Sequence, residues 1–205
     1  KWNLDELAKN PNRKIVTKKL AKIESDAKKF ERIKKSLNPK VSSGKFLKLL
    51  HDVEDITEKS SVIGGYASLR YSEDTQSDEA TSLLTRISKF GSDIENRLLF
   101  FDLWWKKQVD EKNARRLIKS AGQFSEYLRF KRLLAKYSLS EPEEKIINTL
   151  DVTGVSALVK LYDKITNAYV YTVTVDGKKR TMNREQLTTL VRSKKAKTRE
   201  AAYKS

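Results

Sequence analysis

The sequence predicts a mainly α-helical protein, a bundle of long antiparallel helices with additional short helices and one β-hairpin. Its 205 residues include 7 glycines and 3 prolines, too few for the turns and bulges of an ordinary all-β domain. Apolar residues recur every three or four positions over most of the chain, as on the buried face of a helix. One stretch near residue 170 is instead rich in β-branched and aromatic residues.

Three long helices are predicted in the first half of the chain. The first carries an apolar stripe from Val16 to Phe30 and ends near Leu37, before Asn38-Pro39. The second begins after Ser42 and Ser43, which supply N-cap chemistry, and continues towards Tyr71. The third is expected over about 78–107, where seven apolar residues lie three or four positions apart: Leu83, Ile87, Phe90, Ile94, Leu98, Phe101 and Trp105.

Shorter elements are predicted to follow. Helices are expected at about 111–119, 121–136, 141–149 and 153–166, and Ser140-Glu141-Pro142-Glu143 has the pattern of a helix start. Asp176-Gly177 after a β-branched run predicts a hairpin over about 168–182. Two last helices are expected to begin near Asn183 and Lys195. We expect one helical domain over 1–205, with the long-helix bundle in 1–110 and the shorter helices and hairpin in 111–205.

The net charge of +16 comes mostly from the two ends of the chain. Residues 1–40 carry 13 basic and 5 acidic side chains, and residues 176–205 carry 10 and 3, whereas the segment between them is nearly balanced. No apolar run reaches the roughly 18 residues of a membrane span, so no membrane partner is expected. The absence of cysteine excludes disulfides and thiol nucleophiles, and it favours an intracellular, cytoplasmic protein.

Few residues could carry catalytic chemistry. His51 is the single histidine, and we interpret it as a half-exposed helix residue beside Asp52 and Glu54 or Asp55 rather than a base. The carboxylates Glu54, Asp55 and Glu58 are interpreted as a charged solvent face. No catalytic, cofactor-binding or metal-ligating residue is therefore assigned in this chain.

Glycine and aromatic pairs allow packing or contact roles. Gly64-Gly65 is interpreted as close helix packing or a kink, because no Lys-Ser/Thr follows it as in a phosphate-binding loop. Phe101 and Trp105 lie on the predicted apolar stripe, so we assign them to packing. Phe100 and Trp104 fall off that stripe and are predicted to be exposed contacts for a part of the protein outside this chain.

Basic clusters raise the possibility of nucleic-acid binding. They are Lys28-Lys29, Arg32, Lys34-Lys35, Arg129-Phe130-Lys131-Arg132 and Lys194-Lys195-Ala196-Lys197. None belongs to a recognised nucleic-acid-binding motif, and a lysine-rich solvated face explains them better. Nucleic acid is therefore an unlikely partner in this interpretation, and a free-standing basic helical module that binds nucleic acid is the alternative function.

Several local strings are similar to those of one peptidase family. They are Trp2-Asn3-Leu4-Asp5-Glu6-Leu7, Tyr66-Ala67-Ser68-Leu69-Arg70-Tyr71-Ser72-Glu73-Asp74-Thr75, Leu139-Ser140-Glu141-Pro142-Glu143-Glu144-Lys145-Ile146, Thr153-Gly154-Val155-Ser156-Ala157 with Leu161-Tyr162-Asp163-Lys164-Ile165-Thr166, and Arg199-Glu200-Ala201-Ala202-Tyr203 after the hairpin. In this order they resemble the N-terminal region of the oligoendopeptidase F family of zinc metallopeptidases.

The resemblance implies a non-catalytic role for this chain. Family members hydrolyse short peptides with a zinc ion held by a His-Glu-x-x-His helix and a downstream Glu. A chain with one histidine cannot contain that motif, so zinc and its ligands are expected in a catalytic domain outside this chain. The resemblance implies a helical N-terminal domain that contacts its own catalytic domain, covers the cleft and restricts substrates to oligopeptides.

Overall fold

The computed structural model describes residues 3, 4, 7 and 13–205. Most of the string Trp2–Leu7 and the segment Asn10-Pro11-Asn12 lie outside the described residues. In the part described, the elements are α1 (Arg13–Glu31), α2 (Ser43–Glu73), α3 (Asp78–Leu103), α4 (Glu111–Lys119), α5 (Ser125–Leu133), α6 (Glu141–Thr153), α7 (Val155–Asn167), β1 (Tyr171–Val175), β2 (Lys178–Met182), α8 (Arg184–Val191) and α9 (Ala196–Tyr203). The predicted fold class is confirmed.

Local capping explains where several helices begin. The hydroxyls of Ser42 and Ser77 each accept a hydrogen bond from the backbone N–H three residues further on, at the starts of α2 and α3. At the start of α6 the carboxylate of Glu143 accepts the backbone N–H of Ser140 at 2.8 Å. These contacts satisfy N–H groups that the first helical turn leaves free, so the helix starts are set by local sequence.

The three long helices pack around an aromatic core. The ring of Phe30 in α1 lies 5.4 Å from that of Phe101 in α3, and Phe46 in α2 lies 5.2 Å from Trp105. Phe101 also stacks on Trp104, with 5.6 Å between the ring centroids. Such pairs contribute about 0.5–1.5 kcal/mol each beyond the burial of their surface. The packing role predicted for Phe101 and Trp105 is confirmed.

The prediction that Phe100 and Trp104 are exposed is wrong, because they are 5% and 2% exposed. Phe100 packs against Phe30, and Trp104 packs against Phe46. The packing around α3 explains the error. Helix α3 contacts α1, α2 and α6, so more than one of its faces is covered. Residues 104–108, which follow α3, form a π-helical turn.

The side chain of Arg132 from α5 holds this π-helical turn in place. Its guanidinium donates to the carbonyl oxygens of Trp105 at 3.1 Å and Val109 at 2.8 Å, and to the carboxylate of Glu111 at 3.1 Å. In the other direction, Trp105 Nε1 donates to the carbonyl oxygen of Leu128 at 3.0 Å. These contacts attach α4 and α5 to the end of α3.

The hairpin and the last two helices form a second, smaller core. Val173, Val175 and Met182 of the hairpin are buried together and pack against Leu187 and Leu190 of α8. The strands are antiparallel. The turn between them places Asp176 at φ 50° and Gly177 at φ 74°, which is the geometry that an Asp-Gly hairpin favours. The predicted hairpin is confirmed, with strands over 171–182.

Gly64 and Gly65 do not mark close helix packing. Helix α2 continues unbroken through both positions, and a Cβ atom added at either glycine would meet no heavy atom within 4 Å among the described residues. Of the two interpretations, close packing is wrong, because the neighbouring helices leave open space at this point, and the kink stays a prediction.

We expect Gly64→Ala and Gly65→Ala each to raise the free energy of unfolding by about 0.5–1 kcal/mol, since glycine costs that much inside a helix. Urea denaturation of the isolated chain measures this gain. Gly154→Ala is the control and should destabilise, because its Cβ would lie 2.8 Å from the carbonyl oxygen of Leu150. A lower midpoint for Gly64→Ala would contradict the open space beside α2.

We expect Arg132→Met to lower the free energy of unfolding by about 2–4 kcal/mol, because it removes two charge-assisted hydrogen bonds to backbone carbonyls. Arg132→Lys should not restore stability, since an ammonium lacks the planar fork that bridges both carbonyls. Arg129→Met, which loses an exposed ion pair to Glu126, is the matched control. Equal midpoints for the two Met variants would show that the π-helical turn does not depend on Arg132.

Candidate interaction surface

The side chains that could take part in catalysis are exposed at the surface or separated from one another. His51 on α2 is exposed, with Nδ1 3.1 Å from a carboxylate oxygen of Glu54 and its ring against Phe124. Asp55 pairs with Lys59 on the same helix. The described residues contain no group of three or more His, Asp or Glu side chains that could hold a metal ion.

Many of the clustered cations lie in ion pairs with neighbouring carboxylates. Lys28 pairs with Glu24 at 2.7 Å, and Lys34 reaches Glu141 at the start of α6 at 2.8 Å. In the basic cluster at 129–132, Lys131 pairs with Asp102 at 2.9 Å, and in the cluster at 194–197, Lys195 pairs with Asp176 at 3.3 Å. Partly exposed pairs of this kind contribute little to stability, but they leave fewer cations free for a polyanion.

Helices α6 and α7 contribute no buried residue to the protein. They instead expose nine large apolar side chains, each between 48% and 66% exposed, which we call the α6–α7 face. The face consists of Ile146, Ile147, Leu150, Val155, Leu158, Val159, Leu161, Tyr162 and Ile165. An amphipathic helix in a globular protein normally turns such residues towards the core. Here they remain about half exposed, and Ile147, Val155 and Val159 line grooves between these helices and the bundle.

Polar contacts attach these two helices to the bundle. Ser92 Oγ donates to the carbonyl oxygen of Asn148 in α6 at 3.0 Å, and the hydroxyl of Tyr71 donates to the carbonyl oxygen of Lys160 in α7 at 3.1 Å. Gln76 likewise donates to the carbonyl oxygen of Lys164 at 3.0 Å. The partly buried side chains of α7 are mostly polar, Ser156, Lys160, Asp163 and Lys164 among them, whereas its large apolar side chains are more exposed.

The size of the α6–α7 face is that of a protein-binding surface. Nine large side chains about half exposed present on the order of 800 Å² of apolar surface, close to one side of a standard protein–protein interface. The largest apolar patch on a typical monomer is about 300–600 Å². No helix among the described residues is long and apolar enough to cross a membrane.

A groove of about 490 Å³ lies between α2, α3 and α6, beside this face. Its lining includes Gly64, Gly91 and Leu98, and also Ile147, which belongs to the α6–α7 face as well. Glu95 lies at its edge, where burial and the nearby Asp151 raise the pKa of the Glu95 carboxyl. The groove offers space for an apolar side chain next to the exposed helices.

Comparison with known proteins links this segment to one family. Residues 107–170, which include all of α6 and α7, match the family model described as Oligopeptidase F. The resemblance to the N-terminal region of that family is confirmed. A search of the curated proteins returned no match.

A solved structure extends the comparison to the fold of nearly the whole chain. The crystal structure of oligoendopeptidase-F from Enterococcus faecium is similar to this chain with a TM-score of 0.69 and 18% sequence identity. The likeness covers 92% of this chain but 36% of that chain. This chain therefore spans about a third of the length of the oligoendopeptidase-F structure and has its fold in that region.

The sequence alone did not identify the α6–α7 face, although the apolar residues that form part of it follow a helical spacing. Val155, Leu158, Tyr162 and Ile165 follow helical spacing, and the pattern predicts the helix correctly. Such a stripe normally belongs to a core, and the sequence pattern predicts an outward contact at Phe100 and Trp104 instead. The direction in which a stripe points depends on which side of the helix meets the bundle.

We expect Leu158→Ser to change the free energy of unfolding of the isolated chain by less than about 0.5 kcal/mol, because Leu158 is 66% exposed. Leu117→Ser, at a fully buried leucine in α4, should lower it by about 3 kcal/mol or more. Urea denaturation of both variants provides the test. A loss at Leu158 comparable to that at Leu117 would mean that α7 is packed within the isolated chain.

Proposed function

We propose that this chain is the non-catalytic N-terminal domain of a zinc oligoendopeptidase, where it contacts its own catalytic domain, helps to cover the active-site cleft and restricts access to short peptides. The observation that carries the proposal is the likeness in fold to oligoendopeptidase-F, which covers 92% of this chain and 36% of the other. The Oligopeptidase F match over 107–170 supports the same family independently.

The chemistry of the chain supports a non-catalytic role. Its single histidine is exposed beside Glu54, and two histidines one helical turn apart are needed for a His-Glu-x-x-His zinc site. Zinc and its ligands are thus proposed to lie outside this chain. When bound in the catalytic domain, zinc would polarise the peptide carbonyl and activate water.

A helical domain can restrict access to an active-site cleft through its shape alone. Long helices packed around an aromatic core would form one side of a narrow cleft, which an extended short peptide can enter and a folded protein cannot. We propose oligopeptide substrates on this basis and on the resemblance to the family. A cytoplasmic location is proposed from the absence of cysteine and from the same resemblance.

The test compares the isolated chain with the full-length protein encoded by its gene. Quenched-fluorescent peptides of increasing length are the substrates, with and without a zinc chelator. We expect no hydrolysis by residues 1–205, zinc-dependent hydrolysis of short peptides by the full-length protein, and a steep loss of activity with peptide length. A reading frame that ends at Ser205, or peptide hydrolysis by the isolated chain, would contradict the proposal.

A further inference from the structure

We propose that the α6–α7 face is the surface through which this chain docks onto the catalytic domain, with an apolar side chain of that domain inserted in the groove beside Ile147. This inference rests on the proposed function and names the partner of this surface. It commits to one occupant, an apolar surface of the remaining part of the same peptidase chain.

The exposure of the apolar residues on α6 and α7 supports this docking. Both helices reach the bundle through hydrogen bonds such as Ser92 to Asn148 and Tyr71 to Lys160, and nine of their large apolar side chains stay about half exposed. Exposing apolar surface of this extent to water is unfavourable. A partner that covers the face removes that cost without disturbing any contact within the bundle.

The position of the α6–α7 face within the matched segment also supports the docking. Both helices fall entirely inside 107–170, the segment that matches Oligopeptidase F. The remaining part of the oligoendopeptidase-F structure, close to two thirds of its length, lies beyond the region to which this chain corresponds. A partner in the same polypeptide is held at high effective concentration, so a face of this size suffices for stable docking.

The groove adds a specific feature to the face. Gly64 and Gly91 line it from α2 and α3, and a Cβ atom at either position would meet no heavy atom within 4 Å among the described residues. The absence of side chains at these two positions therefore contributes to the space. The lining also contains serines and the carboxylates of Glu95 and Asp151, and an apolar side chain fits in the part of the groove that Ile87 and Leu98 line.

Hydrogen exchange of the isolated chain and the full-length protein tests the docking directly. We expect the amides of 141–167 to exchange at least tenfold more slowly in the full-length protein. The double variant Leu150→Glu/Leu158→Glu should return them to the isolated-chain rate. Leu133→Glu, at a leucine that is 71% exposed on α5, is the matched control and should leave the protection unchanged.

A pair of glycine variants tests the groove. Gly64→Leu should reduce the protection of α6 in the full-length protein, because the new side chain occupies the groove. Gly65→Leu, at the neighbouring position of the same helix that is not among the groove residues, should leave the protection unchanged. Thermal unfolding of each isolated variant checks that the bundle itself is intact. Equal effects of the two leucines in the full-length protein would overturn the insertion of a side chain.

Several outcomes would overturn the docking while leaving the proposed function in place. One is a full-length protein that hydrolyses short peptides but shows equal exchange over 141–167 in both forms. Another is protection that appears in the isolated chain as its concentration rises, since a second copy would then be the occupant. Insertion of the isolated chain into lipid vesicles through these helices would likewise replace the catalytic domain as partner. Failure of the peptidase assay, by contrast, would overturn the proposed function itself.

Discussion

The packing of Trp105 connects the long-helix bundle to the short helices that follow it. Its ring stacks near Phe46 inside the long-helix bundle, while its indole N–H and its carbonyl oxygen are tied to Leu128 and Arg132 of α5. The bundle, the π-helical turn and the short helices that follow therefore share one buried junction. The polypeptide continues from this junction to the start of α6. There Glu141 pairs with Lys34, which follows α1 in the chain.

The placement of α6 and α7 follows from this arrangement. The bundle offers them the hydroxyls of Tyr71 and Ser92 and the amide of Gln76, and each of these groups is best satisfied by a hydrogen bond. Backbone carbonyls of α6 and α7 accept these hydrogen bonds, and nine large apolar side chains of the two helices stay about half exposed. An exposed apolar surface thus lies on the outside of a well-packed bundle.

The distribution of charge agrees with a role in protein contact. The excess of +16 lies at the two ends of the chain, and members of each basic cluster are paired with acidic neighbours. The α6–α7 face itself is made of aliphatic side chains and one tyrosine. Its recognition therefore depends on shape and on burial of apolar area, which are less sensitive to salt than charge pairing is.

The sequence alone determines most of the helix boundaries and the hairpin, because these depend on local signals. Ser42, Ser77 and Ser140 mark helix starts, and Asp176-Gly177 sets the turn, through contacts within a few residues. Which side of a helix is covered depends instead on residues far away in the chain. Phe100 and Trp104 are buried because α1 and α2 meet a second side of α3, while Leu158 is exposed because α7 presents polar groups to the bundle. Periodicity locates an apolar stripe, and long-range packing settles whether that stripe faces the core or a partner.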